Sequence, residues 1–397
     1  MVRNDYQKHR RPSPGAIKNG AFVVVFCLMI VVPALLANRQ EDAVSAAEQR
    51  YLADFPSAAV IRDEGLAVFR DAFVLALQDR IGLRDAFVRT ADAARLYALR
   101  QSPSPLVRVG KGGWYFYTGY DNIEIGIGSF MFADGFLSQY TEKQQKVSDY
   151  YAGKGIPYFF MPTPSKASVY PEYLPGDVPV QRTLIDQVTD ALAAGTDVNV
   201  IGIKDYLIGN KGRGQLYFRQ DFHWDTLGSF LAYERIVQEL DKAGVLDGAV
   251  PIEAEVRDFD YGPGEVSGYF GGILPDEYAP DVVWEAKARK VESGGMYERI
   301  KDVCDQGAIV NTRVLASTLA VYENPGAEGG TLLVYGDSMM SEQRKIPAYL
   351  AEHFSLVVSV GRIPNVYEAL DDEVRPDAVL FQRSERYLGS EFMVPGE

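Results

Sequence analysis

The sequence predicts an α/β fold with a mostly parallel sheet, preceded by an N-terminal transmembrane helix and a helical segment. Three observations predict it. From residue 140 onward, amphipathic stretches alternate with short apolar runs, the pattern of strands joined by crossover helices. Residues 41–100 carry apolar residues at helical spacing. Ala21 to Ala37 form an unbroken apolar run of 17 residues.

That run reaches the lower limit for a spanning helix, about 17–25 residues, and exceeds the apolar core of most signal peptides, about 7–15 residues. Residues 1–20 carry Arg3, Lys8, Arg10, Arg11 and Lys18 against Asp5, a net of +4. The positive-inside rule then puts residues 1–20 in the cytoplasm as a tail and everything after Ala37 outside. A signal anchor over 21–37 is the expectation. A cleaved signal peptide is the alternative, opposed by Leu35 at the −3 position before Asn38 and by Pro33 within the run.

Residues 38–104 are expected to form a helical stalk of two or three helices packing on the catalytic domain, with Leu66, Phe69, Phe73, Leu77, Phe87 and Leu96 in helical register. Ser102-Pro103-Ser104-Pro105 breaks the pattern, and a catalytic domain is expected over 105–397. Leu106 to Tyr117 reads as two strands around the glycines 110, 112 and 113. A phosphate-binding loop fails there, because no Gly-Lys-Ser/Thr follows. Helices are expected over 139–152, 184–194, 226–243 and near 345–353. Strands are expected over 157–161, 198–203, 331–335, 354–360 and 378–381. Residues 255–330 are less regular, with Gly/Pro-rich patches.

Composition narrows the function classes. The net charge is −14, or −18 without residues 1–20, which argues against a nucleic-acid partner. The two cysteines, Cys27 and Cys304, offer neither a disulfide framework nor a zinc spacing. One histidine with scattered acids gives no metal set, and no cofactor is expected. Asp371-Asp372-Glu373 reads as a solvated acidic helix face rather than paired glycosidase carboxylates.

The chemistry sits in two short segments, Asp221-Phe222-His223-Trp224 and Gly336-Asp337-Ser338. A serine hydroxyl attacks poorly until a base takes its proton. Imidazole suits that task near neutrality, and a carboxylate on the other ring nitrogen fixes its tautomer. Ser338 follows the apolar strand 331–335, where open α/β sheets place ligands and where backbone N–H groups can act as oxyanion donors. Its structural alternative is a helix N-cap. For Asp221 and His223 the alternative is a turn residue and a satisfied loop histidine. Of the other histidines, His9 lies in the expected cytoplasmic tail. His353 lies late in an expected helix, where a dipole role suffices.

At these residues the chain resembles the SGNH-hydrolase-like polysaccharide O-acetyltransferases of the alginate acetylation type, in their membrane-anchored branch. The resemblance spans roughly residues 50–390. It rests on Gly110 to Tyr117, Pro162 to Pro175, Tyr217 to Gly228, Leu333 to Ser338 and Ser384 to Leu388, in that order. It implies an SGNH-hydrolase-like three-layer sandwich, with Ser338 as nucleophile, His223 as base and Asp221 as orienting acid. Here the Asp/His pair precedes the serine, the rearranged order of this family. It further implies an enzyme at the inner membrane with its catalytic domain in the periplasm. Such an enzyme takes acetyl groups from a membrane-bound O-acyltransferase and places them on an exopolysaccharide. Two departures stand out: Met339-Met340 follow the serine where an aromatic is commoner, and Arg344-Lys345 lie where an anionic sugar could be met. A carbohydrate acetylesterase and a non-catalytic polysaccharide-binding or assembly subunit are the alternatives.

Overall fold

The computed structural model of the chain describes residues 14–38, 40, 44–45, 50–307, 319–361, 367–390 and 394–395. His9 and most of the basic tail lie outside them. Two compact units are distinguished, residues 1–100 with 270–273, and residues 101–269 with 274–397.

In the first unit the apolar run, except for Leu36 and Ala37, lies in a helix, Pro14–Leu35. Its segment Lys18–Leu35 is long and apolar enough to cross a membrane. Three α-helices follow, Ala59–Asp63, Leu66–Arg80 and Arg84–Ala93, and then a wide turn at Ala94–Ala98. Arg80 is buried and holds the carbonyls of Gln40 and Ala53 and the Asp54 carboxylate. A buried guanidinium survives only with such partners, since its five N–H groups need acceptors.

In the second unit a seven-stranded sheet carries the fold. Its strands in chain order are β1 (Tyr158–Thr163), β2 (Asn199–Val200), β3 (Arg289–Val291), β4 (Ala320–Glu323), β5 (Gly329–Tyr335), β6 (Phe354–Val360) and β7 (Ala378–Ser384). Their order across the sheet is β2-β1-β7-β5-β6-β4-β3. The five strands from β2 to β6 pair in parallel, and β4 and β3 add an antiparallel edge. Strand residues point alternately to two cores. Leu332 and Val334 pack on one side with the helix Thr226–Lys242. Leu333 and Tyr335 pack on the other with Leu184 and Leu192 of the helix Leu184–Gly195. Both faces of β5 are therefore apolar, as its run of buried residues in sequence suggested. The unit is thus an α/β sandwich with a mainly parallel sheet.

Several expectations need correction. The strand expected over 198–203 pairs only at Asn199–Val200. The helix expected near 345–353 is five residues, Ile346–Leu350, because Phe354 already enters β6. The irregular stretch hides a hairpin, Glu255–Asp260 with Tyr278–Val283, whose first strand is exposed throughout and so shows no alternation. Asp371 is not solvated: it is buried and accepts from Tyr150 and Tyr151 hydroxyls at 3.1 and 3.3 Å and from Lys154 at 3.2 Å. The strand pair at 107–109 and 115–117 forms as expected. Cys27 and Cys304 are both free thiols.

Candidate active site

Ser338 stands just beyond the C-terminal end of β5, between two parallel neighbours. The chain turns at Gly336, where a Cβ would come within 2.6 Å of Met340 Cβ, so only glycine fits. The carboxylate of Asp337 caps the following turn by accepting from Met339 N at 2.9 Å. It also accepts from Ser384 N at 2.9 Å, and the Asp337 N–H donates to Gln382 Oε1 at 2.9 Å. The turn is thus fixed to the end of β7. The cap is Asp337, not Ser338, whose side chain is left exposed. The N–H groups of Met339 and Met340 are both spent on Asp337, so they are not free to meet an oxyanion.

Asp221 and His223 come from an irregular segment after β2. Tyr217 and Trp224 bridge across it, and Asp225 caps the helix Thr226–Lys242 by accepting from Gly228 N at 2.9 Å. A Cβ at Gly228 would lie 2.1 Å from Leu216 O, so the helix start can press on this segment only through a glycine. Lys166 reaches up from below and donates to the carbonyls of Phe218, Arg219 and Asp221.

The two segments meet. His223 Nε2 lies 2.8 Å from Ser338 Oγ, and His223 Nδ1 lies 2.7 Å from Asp221 Oδ1. The same Asp221 oxygen accepts from the His223 main-chain N–H at 3.0 Å. Arg344 donates to the other oxygen at 3.3 Å and lies over the Phe218 ring. Trp224 Nε1 donates to Met339 O at 3.0 Å, a strut between the residues that follow His223 and Ser338. Met339 and Met340 are core residues, so the departure from an aromatic there concerns packing.

The electrostatics favour a charged Asp221. Burial works to raise its carboxyl, but the His223 imidazole, its hydrogen bonds and Arg344 outweigh burial and hold the carboxyl well below the usual range. Glu265 stands 3.7 Å from His223 Nδ1, and burial and the Asp221 charge push its carboxyl up. Asp221, His223 and Glu265 offer ligand atoms within 4.8 Å of one another. As a metal set they fit poorly, because the ring nitrogens of His223 face Asp221 and Ser338 at hydrogen-bond distance.

The other sequence candidates lie elsewhere in function. His353 Nε2 is held by the Tyr233 hydroxyl at 2.6 Å, and burial lowers its pKa. Arg344 is engaged with Asp221, and Lys345 with Asp281, so neither is a free cation for a sugar. Sequence reasoning missed Arg344 as the partner of Asp221, as well as Lys166, Trp224 and Glu265. Of these only Trp224, adjacent to His223, carried any signal.

Residues 107–291 match the family described as the SGNH hydrolase-like domain of acetyltransferase AlgX. The match includes Asp221 and His223 and ends before Ser338. No match was found among curated proteins. By structure the chain is similar to the O-acetyltransferase domain of Pseudomonas putida AlgJ, at 16% identity and TM-score 0.48, over 73% of this chain and 95% of that one. It is also similar to Bacillus cereus PatB1, at 14% and 0.49, over 70% and 96%. Pseudomonas aeruginosa AlgX matches at 13% and 0.41, over 72% and 63%. Over residues 107–291 the chain is thus similar to the SGNH hydrolase-like domain of acetyltransferase AlgX.

Proposed function

We propose that this protein is an O-acetyltransferase that places acetyl groups on a polysaccharide through an acetyl-Ser338 intermediate. The observation that carries the reading is the unbroken line of hydrogen bonds from Asp221 through His223 to an exposed Ser338. The family match over 107–291 supports acyl transfer as the reaction class.

The steps follow from the geometry. Ser338 Oγ attacks the acetyl carbonyl carbon of the donor while its proton passes to His223 Nε2. Asp221 accepts from Nδ1–H throughout and stabilises the imidazolium. Collapse of the tetrahedral adduct breaks the bond to the donor, whose leaving group takes the proton from Nε2. In the second half the acceptor hydroxyl gives its proton to Nε2 and attacks the acetyl carbon. Ser338 Oγ departs and recovers the proton.

The apolar helix Lys18–Leu35 supports an inner-membrane anchor with the catalytic unit in the periplasm. The donor in this reading is a membrane-bound O-acyltransferase, and the acceptor an exopolysaccharide. The test uses the full-length protein in detergent micelles, with 4-nitrophenyl acetate as donor and an oligosaccharide acceptor. Acid quenching followed by peptide mass spectrometry should find the acetyl group on Ser338. Transfer by Ser338→Ala at more than a tenth of the wild-type rate would refute the proposal.

A further inference from the structure

Lys166 is buried, with 2% of its surface exposed. Its ammonium has three N–H groups, and each finds a main-chain carbonyl: Phe218 at 2.9 Å, Arg219 at 3.1 Å and Asp221 at 2.7 Å. The rings of Trp114 and Phe116 lie 5.5 and 5.3 Å from it. Among the described residues no carboxylate is close enough to form an ion pair with it.

Glu277 treats the same segment with the opposite polarity. It too is buried, and its carboxylate accepts from Arg219 N at 2.6 Å and Gln220 N at 2.8 Å. It also accepts from the Gln215 amide at 3.2 Å. Among the described residues it has no ion-pair partner. The carbonyls of 218, 219 and 221 therefore face a buried cation, and the amides of 219 and 220 face a buried anion. Two lone buried charges are an expensive way to build a core. What these two hold in common is the backbone that leads into Asp221 and His223.

We infer that Lys166 and Glu277 form a two-sided clamp on residues 218–221 that positions His223 toward Ser338. Neither touches the reacting atoms, so both are positioning residues. The inference rests on the Ser338–His223 reading above. It deepens that reading by naming what fixes the base before substrate arrives. Burial brings the Lys166 ammonium down to about 7, against the opposing pull of Glu277, Asp221 and Glu265. A neutral amine has one N–H fewer to give, so the clamp loosens as the pH rises.

The test measures the rate at which phenylmethanesulfonyl fluoride modifies Ser338 in the full-length protein, from acid to alkaline pH. Amide hydrogen exchange over 217–224 is measured alongside it. Lys166→Met keeps the length and removes the charge. It is expected to slow labelling about 30-fold or more, since a shift of about 1 Å in a reacting group can lose about 100-fold. Exchange over 218–223 is expected to rise. The wild-type rate is expected to fall on the alkaline side, and that fall is expected to vanish in Lys166→Met. Glu277→Gln keeps one acceptor oxygen and is expected to lose about 3–10-fold, which carries the test if Lys166→Met fails to fold. Labelling within threefold of wild type in both variants would overturn the clamp, as would unchanged exchange at 218–223. Absence of labelling at Ser338 in the wild type would instead sink the Ser338 reading, while the exchange data would still decide the clamp.

Discussion

Asp221→Asn tests how the base is oriented. The oxygen facing His223 accepts two bonds, from Nδ1–H at 2.7 Å and from the main-chain N–H at 3.0 Å. The opposite oxygen has the weaker contact, Arg344 at 3.3 Å. An asparagine that turned its NH2 toward His223 would set donor against donor at the main-chain N–H. It will therefore keep its oxygen on His223, where two bonds are at stake, and turn its NH2 toward Arg344, where the single 3.3 Å contact is lost. The ring keeps its tautomer, and what is lost is the carboxylate charge together with the weak Arg344 contact. A hydrogen bond to a charged group contributes about 1.5–3 kcal/mol and a neutral one about 0.5–1.5 kcal/mol. The difference, about 1–2 kcal/mol, corresponds to about 5–30-fold in rate. Release of 4-nitrophenol from 4-nitrophenyl acetate, read as kcat/KM, is the assay. A wrong tautomer would lose about 10⁴-fold, so a loss of that size would refute the pinned orientation. A loss under about twofold would refute Asp221 as the orienting acid.

Four further outcomes are expected. Asp221 has a folded pKa below its unfolded value, so it stabilises the fold above about pH 4, and that contribution is lost as the pH falls toward the folded value. The difference in Tm between wild type and Asp221→Asn should shrink as the pH is lowered through this range, and a difference constant with pH would contradict it. Trp224→Phe leaves Met339 O without its indole donor and should lower stability by about 1–3 kcal/mol, measured by urea denaturation. Asp371→Leu strands the Tyr150 and Tyr151 hydroxyls and Lys154, and should lower the urea midpoint while Ser338 labelling of the folded fraction keeps its rate. Deleting residues 1–37 should move the protein from the carbonate-washed membrane pellet to the supernatant; retention in the pellet would argue against the anchor.

The parts of the fold that were legible are those whose burial is uniform. β5 and β6 present apolar residues to both faces, and the helix Thr226–Lys242 is buried through its first eight residues and keeps helical spacing from Tyr233 on, at Ile236, Val237 and Leu240. The hairpin 255–260/278–283 was not legible, because its outer strand is exposed on every residue and carries no alternation. Asp371 was misread for a related reason: an acidic run on a helix is normally solvated, and only the tertiary partners Tyr150, Tyr151 and Lys154 bring one of its members inside. At the candidate site, the meeting of Asp221, His223 and Ser338 was legible because histidines are scarce and acyl transfer would need those three groups. Lys166, Glu277 and Arg344 were not. Their role is to satisfy main-chain and carboxylate atoms far away in sequence, and a lone lysine or glutamate carries no signal of that.

The same point explains why chain order matters so little to this site. Asp221 and His223 lie 117 and 115 residues ahead of Ser338, yet the two segments are braced as one. Trp224 reaches Met339 O, and Arg344 reaches back to Asp221. Each brace ties the 221–224 segment to the chain that follows Ser338. A displacement of either segment would strain these hydrogen bonds together with the 2.8 Å contact. The double variant Trp224→Phe/Arg344→Leu therefore should lose more labelling at Ser338 than the product of the two single losses. Strict additivity would mean that the braces act independently and that the 2.8 Å contact is held by something else.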